Sequence, residues 1–194
     1  MQEGESLISA VKDCRICEPF LPLGPRPVIS ISKESKILII GQAPGTRVHK
    51  TGIPWNDPSG DELRRWLDVD RDQFYDPKTF GIMPMGFCYP GRGKGGDLPP
   101  RPECAPHWHA KLMNIMPNVK LTLLIGDFAQ RYYLGKSRMQ NLTETVRSFE
   151  DYLPDYFPLV LPSPRNRLWM RKNDWFESDV IPRLRERLNS LIIF

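Results

Sequence analysis

The sequence predicts a three-layer α/β/α fold around a central, mostly parallel four-stranded sheet. Two short apolar runs, Lys36–Ile40 (KILII) and Leu121–Ile125 (LTLLI), have the length and Ile/Leu content of strands buried on both faces. Each run stops at a glycine, Gly41 or Gly126. Helical patterns lie between such runs, and strands alternating with helices give parallel sheets covered on both sides. With 194 residues the chain can bury a sizeable core and is read as a single domain over residues 1–194.

Along the chain, Ser6–Lys12 reads as a short helix with Leu7, Ile8 and Val11 on one side. A proline-rich connection leads to a strand at Val28–Ser32 and then to the strand at Lys36–Ile40. Ser59, with Glu62 three residues on, forms a capping-box pattern that opens a helix through Leu67. Phe80–Phe87 (FGIMPMGF) reads as the next strand, against which Pro84 argues. Gly, Pro and charge make Cys88–Pro102 a loop, and a helix follows over Ala105–Ile115. After Leu121–Ile125 come a helix over Asp127–Leu134, a last strand over Phe157–Leu161 and a basic helix from about Asp174.

Composition narrows the class without choosing a function. Apolar residues make up 40% and charged residues 26%, as in ordinary globular domains. Net charge is +4, which permits an acidic partner such as nucleic acid without requiring one. No apolar run approaches the roughly 20 residues that span a bilayer, so no membrane association is expected. The opening MQEGESLISAVKDC lacks the basic start and long apolar centre of a secretory leader, which points to a cytoplasmic protein. No coiled-coil or swapped-arm pattern is present, and a monomer is expected.

In that compartment, four cysteines point to metal ligation, catalysis or packing rather than to disulfides. Cys14 and Cys17 form a C-x2-C pair, whose short turn aims both sulfurs inward. Cys88 and Cys104 flank a proline-rich loop. Four thiolates from two segments suit tetrahedral zinc or a [4Fe–4S] cluster, and spacing alone does not choose between these and free thiols.

The loop after Ile40, GQAPGTRVHKTGIPWNDPSG, stands where open α/β sheets place ligands, beyond the carboxyl end of a parallel strand. It has neither the G-x-x-x-x-G-K-[ST] nor the G-x-G-x-x-G pattern, so nucleotide binding by those routes is not indicated. A metal protein acting on some small molecule is a further reading of these residues.

Several features in order resemble the uracil-DNA glycosylase superfamily, especially its iron–sulfur families four and five. GQAPG (Gly41–Gly45) is similar to their first motif, and KTGIPWNDPSGDEL (Lys50–Leu63) to the family-five pattern that follows it. LPSPRN (Leu161–Asn166) resembles the second motif, which normally begins with His and precedes a DNA-inserting loop. The order of the four cysteines is similar to that of the family's cluster ligands. The resemblance implies removal of uracil, or a related deaminated base, from single- or double-stranded DNA. It also implies a structural [4Fe–4S] cluster held by Cys14, Cys17, Cys88 and Cys104.

Carried over residue by residue, the resemblance assigns roles. Trp55 stands where the family stacks a Phe on the base, and the alternative is a core-packing indole. Ala43 and Pro44 join it as base-binding residues. Asp57 takes the place of the family-five catalytic Asp, where it would stabilise a cationic sugar and orient water; the alternative is a helix cap. Gln42 is the second catalytic candidate. Gly45, Ser163, Arg165, Asn166 and Arg167 are assigned to DNA. Leu168 and Trp169 in RNRLWMRK either wedge into the duplex or pack into the core. Two departures stand out. Leu161 replaces the second-motif His, and Pro84 lies near the position of an Asn that reads uracil. Hence a second reading of the chain is a weakly active or inactive DNA-binding member of the fold. His49 reads as an exposed loop residue, His107 and His109 as facing the cysteine loop or solvent, and Arg92 and Lys94 as possible phosphate contacts or plain surface charges.

Overall fold

The computed structural model describes residues 2–192. Four strands, β1 (Ile37–Ile40), β2 (Phe80–Ile82), β5 (Leu121–Ile125) and β6 (Tyr156–Leu159), form one all-parallel sheet in the order β2-β1-β5-β6. Between them, β3 (Arg92–Gly93) and β4 (Gly96–Asp97) make a separate antiparallel hairpin. The helices are α1 (Gln2–Lys12), α2 (Thr46–Thr51), α3 (Pro58–Leu67), α4 (Arg71–Tyr75), α5 (Cys104–Asn114), α6 (Asp127–Leu134), α7 (Leu142–Arg147), α8 (Arg167–Lys172) and α9 (Ile181–Leu191). None of them is long and apolar enough to cross a membrane.

The period-2 geometry of a strand sends alternate side chains to opposite layers. Ile37 and Ile39 of β1, with Leu121, Leu123 and Ile125 of β5, face Leu63, Trp66, Leu184 and Leu188 of α3 and α9. Leu38, Ile40 and Leu124 face the other way, onto Val11, Trp108, Leu112 and Ala129 of α1, α5 and α6. Both faces of the sheet are therefore covered, which is why β1 reads as an unbroken apolar run and β5 as one interrupted only by the buried Thr122. Register pairs Ile37 with both Phe80 and Leu121, so β1 and β5 form the centre of the sheet. The chain leaves β1 toward one edge and later returns to β5 on its other side. A crevice opens at such a reversal, beyond the carboxyl ends of the strands.

Strands β1 and β5 and helix α6 fall where the sequence places them. Other elements differ for identifiable reasons. Val28–Ser32 forms no strand but a single bridge, Ser30 to Ile82, with Val28 N–H donating to the Phe87 carbonyl at 2.8 Å. The strand expected over Phe80–Phe87 stops at Ile82. Pro84 has no N–H for a ladder, although Met83, Met85 and Gly86 still donate to the carbonyls of Ile39, Gly41 and Gln42. The last strand sits earlier, at Tyr156–Leu159, and ends before Leu161. The cap of α3 is Asp57, not Ser59: its carboxylate accepts the Gly60 N–H at 2.9 Å, with Pro58 in the first helical position. Glu62 instead accepts from Arg65 and from the Trp66 indole.

His109 departs from expectation most sharply. It faces neither solvent nor the cysteine loop; it lies buried on α5, stacked on Phe87 with ring centroids 5.6 Å apart. The Pro84 carbonyl, 3.1 Å from Nε2, can only accept, so Nε2 carries the proton and Nδ1 accepts the Tyr133 hydroxyl at 2.6 Å. Burial lowers its pKa to about 4. The folded state thus resists a proton that the unfolded chain takes up below about pH 6.5. Stability from this group is complete above that pH and is lost as pH falls from about 6.5 toward 4, by on the order of 3 kcal/mol. His109→Gln should flatten that segment of the stability–pH curve, measured by urea unfolding at a series of pH values.

Candidate active site

A cavity of about 360 Å³ occupies the crevice at the carboxyl ends of the strands. Gly41 at the end of β1, Ile82 and Pro84 at the end of β2, and Leu161 beyond β6 line it, as do Trp55 and Asp57. Of the residues singled out from sequence, Gln42, Ala43, Pro44, Gly45, Trp55, Asp57, Ser163, Arg165 and Asn166 converge here. Arg167 is not among the lining residues; it is exposed at the start of α8.

Trp55 is held in an uncommon conformation. Its φ is +55°, in the left-handed region, which costs an L-residue roughly 1–2 kcal/mol. Two glycines make the arrangement possible. A Cβ at Gly41 would stand 2.7 Å from the indole Cζ2, and a Cβ at Gly60 only 1.7 Å from the Trp55 carbonyl oxygen. The indole therefore lies directly on the end of β1. It packs against the core and also lines the cavity.

Asp57 likewise serves as a helix cap and as a pocket residue. One carboxylate oxygen accepts the Gly60 N–H at 2.9 Å. The other is free for a ligand, and the side chain is half-buried among the lining residues. The Gln42 amide nitrogen donates to the Leu98 carbonyl at 3.2 Å. One of its two N–H groups is thus engaged in holding the chain just after the β3–β4 hairpin.

That hairpin is the largest feature missed in the sequence. It lies within the segment read as loop, and it brings Gly95, Gly96 and Asp97 to the cavity. Arg165 Nη1 donates to the Gly95 carbonyl at 3.3 Å. Asp97 stands beside Gly45, with Oδ2 3.5 Å from where a Cβ would be, and so brings a negative charge to a rim otherwise suited to phosphate. Its only sequence signal is the Gly-Lys-Gly-Gly turn.

The floor is apolar where the resemblance leads one to look for donors. Leu161 packs on Gly126, whose φ of +85° and lack of Cβ admit the leucyl group. Pro84, buried, offers only a carbonyl, and His109 already occupies it. His49 does not line the cavity; it sits half-buried on α2 with its ring centroid 6.2 Å from that of Tyr89. Burial, and then the nearby Arg26, hold its pKa below the usual range.

In the loop after β6, Asn166 donates to the Leu161 carbonyl at 2.7 Å, and the Ser163 hydroxyl accepts the Arg165 N–H at 3.3 Å. These bonds shape the turn Pro164–Asn166 that leads into α8. There the two large apolar residues part company. Trp169 turns inward, bonds Thr143 through its indole N–H at 2.9 Å and packs edge-on to Trp175 and Phe176. Leu168 points out and is 63% exposed.

The four cysteines line a second, small cavity with Leu21, Pro27, Phe87 and Arg101. All four are half-buried free thiols. The Phe87 N–H donates to Cys104 Sγ at 3.4 Å, and the Cys17 thiol lies 3.8 Å from a Glu103 carboxylate oxygen. Burial pushes Cys88 up to about 11 and Cys104 up to about 12. Among the described residues, no three His, Cys, Asp or Glu side chains converge closely enough to hold a single metal ion.

Comparison with protein families gives a match to the model described as "Uracil DNA glycosylase superfamily", over residues 29–185. The match covers the sheet, the cavity and both loops that frame it, and begins after the first cysteine pair.

The close approach at Gly60 sets a test of the site's architecture. Gly60→Ala should cost at least about 3 kcal/mol, because a backbone carbonyl blocks the methyl group. Gly95→Ala, whose Cβ would meet nothing within 4 Å, should stay within about 0.5 kcal/mol of the parent. Chemical unfolding of the two variants measures both.

Proposed function

Because the chain belongs to the uracil DNA glycosylase superfamily, we propose that it is a monofunctional DNA glycosylase that removes uracil or a related deaminated base. The observation that carries this reading is the shared cavity of Trp55 and Asp57 at the carboxyl end of β1. An everted base must recover its lost stacking energy in a pocket, and the half-buried indole on Gly41 offers an aromatic face for it.

Cleavage of the glycosidic bond leaves the electron pair on the base nitrogen and positive charge on the sugar. The free oxygen of Asp57 stabilises that cation and orients a water toward the anomeric carbon. Water adds there and gives up a proton, and the departing base takes one up from solvent. Oxygens of the leaving base need donors, and Leu161 and Pro84 supply none from their side chains. This chain's rate therefore rests more heavily on Trp55 and Asp57 than it would with those donors in place. The outward Leu168, followed by Arg171 and Lys172 and preceded by Arg165 and Arg167, suits a wedge that fills the gap left by the everted base.

For the second cavity we propose a [4Fe–4S] cluster held by Cys14, Cys17, Cys88 and Cys104, as in families four and five. What supports this reading is that four thiols from two separate segments line one cavity, a donor set that such a cluster uses. The cluster would supply cross-linking between the N-terminal segment and the loop before α5. It takes no part in the hydrolysis.

The apolar floor favours a second reading, in which the protein binds DNA with damaged bases and turns over little. Oligonucleotides with one uracil, single- and double-stranded, separate the two. Free base should be released by the parent protein. Asp57→Asn should lower the rate by roughly 10²–10⁴-fold while keeping the helix cap, and with it the melting temperature, since Asn caps as well as Asp. Asp57→Ala should lose both. Salt-sensitive binding with no release from uracil or other deaminated bases would leave the binding reading. Metal analysis of the purified protein should find roughly four irons per chain with matching acid-labile sulfide and a brown colour. Stoichiometric zinc would replace the cluster assignment.

A further inference from the structure

The left-handed turn at Trp55 is held from behind by two side chains that no motif includes. Arg64, on α3, is 5% exposed. Its Nη1 donates to the Trp55 carbonyl at 3.3 Å and to the Tyr75 hydroxyl at 3.4 Å, while Nη2 pairs with Asp61 at 2.6 Å. The Tyr75 hydroxyl in turn donates to the Pro54 carbonyl at 2.9 Å. The guanidinium lies over the rings of Phe74 and Tyr75, 5.2 and 5.7 Å from their centroids. Two successive carbonyls, neither in a helix nor in a strand, are thus bonded by a buried guanidinium and a half-buried phenol.

From this we infer that Arg64 and Tyr75 are positioning residues, which act through the Pro54–Trp55 backbone to orient the site. A donor on each carbonyl fixes the two peptide planes, and those planes set the direction in which the Trp55 side chain leaves the main chain. The same planes determine where Asp57, two residues on, stands relative to the indole. Among the described residues no other side chain donates to these two carbonyls: Gly60 gives the Trp55 carbonyl room, but its N–H goes to Asp57. Asp61, whose side chain is 74% exposed, orients the guanidinium from solvent and adds little as an ion pair. The inference rests on the reading of Trp55 and Asp57 as the groups facing base and sugar.

Tyr75→Phe removes only the hydroxyl and keeps the ring against Phe74, so it should fold with a melting temperature near the parent's. Arg64→Lys keeps the charge and one donor but loses the fork. The first measurement needs no activity: the ¹H–¹⁵N spectrum of the five tryptophan indoles, in which Trp55→Phe identifies the Trp55 signal. Tyr75→Phe should shift or broaden that signal and leave the other indoles in place, and Arg64→Lys should do so less. The second measurement is base release, where loss of one hydrogen bond to each carbonyl should reduce kcat/KM by roughly five- to twentyfold. KM should rise and kcat fall together, whereas Asp57→Asn lowers kcat alone. An unmoved Trp55 signal in both variants overturns the inference, as does unchanged kcat/KM in an active parent. A parent that releases no base defeats the catalytic reading instead, and the indole spectrum then decides the positioning role by itself.

Discussion

The site depends on a contact that admits no side chain at all. The Trp55 carbonyl presses against the Cα of Gly60, while the indole of the same residue covers Gly41, so one tryptophan is fitted between a strand end and a helix start. A left-handed backbone at a bulky residue is unfavourable by itself. It persists because the surroundings over-determine it: space from two glycines, a cap from Asp57 and donors from Arg64 and Tyr75. Strain of this kind collects where orientation matters more than stability.

The same economy governs the carboxylate. Asp57 closes the first turn of α3, and that bond keeps its side chain from rotating away from the cavity. Capping the helix and lining the cavity are not rival roles for this residue, because the cap bond uses one carboxylate oxygen and orients the group. Around this pair the cavity is uneven: a polar rim from the β3–β4 hairpin and the loop after β6, and a floor of Ile82, Pro84 and Leu161. A ligand buried on that floor gains dispersion but little directed hydrogen bonding from it, which makes the wall geometry decisive.

Much of the architecture was legible in the sequence because burial on both faces leaves a nearly continuous apolar run, as in Ile37–Ile40 and in Leu121–Ile125, where Thr122 is the one polar residue. The convergence of GQAPG, PWNDPSG and LPSPRN was legible too, since sequence places them at the ends of parallel strands or just beyond. Less was readable where a proline or a turn decides the outcome. Pro84 cut β2 short, and Pro58 fixed the first helical position and so placed the cap on Asp57, the alternative reading of that residue, rather than on Ser59. Strands of two residues carry no alternation, so β3 and β4 left no trace beyond their glycines. Arg64 and Tyr75 look like ordinary residues of amphipathic helices, and His109 like a surface histidine; only packing against distant segments gives them work.

The β3–β4 hairpin is fastened at both ends. Gln42, from the first loop, fastens its base at Leu98, and Arg165, from the loop after β6, fastens its tip at Gly95. Three segments far apart in the chain are thereby fitted to one another across the mouth. An engineer who grafts one of them from a relative would import one part of a matched set of three, and would have to exchange all three together to reshape the mouth of the cavity.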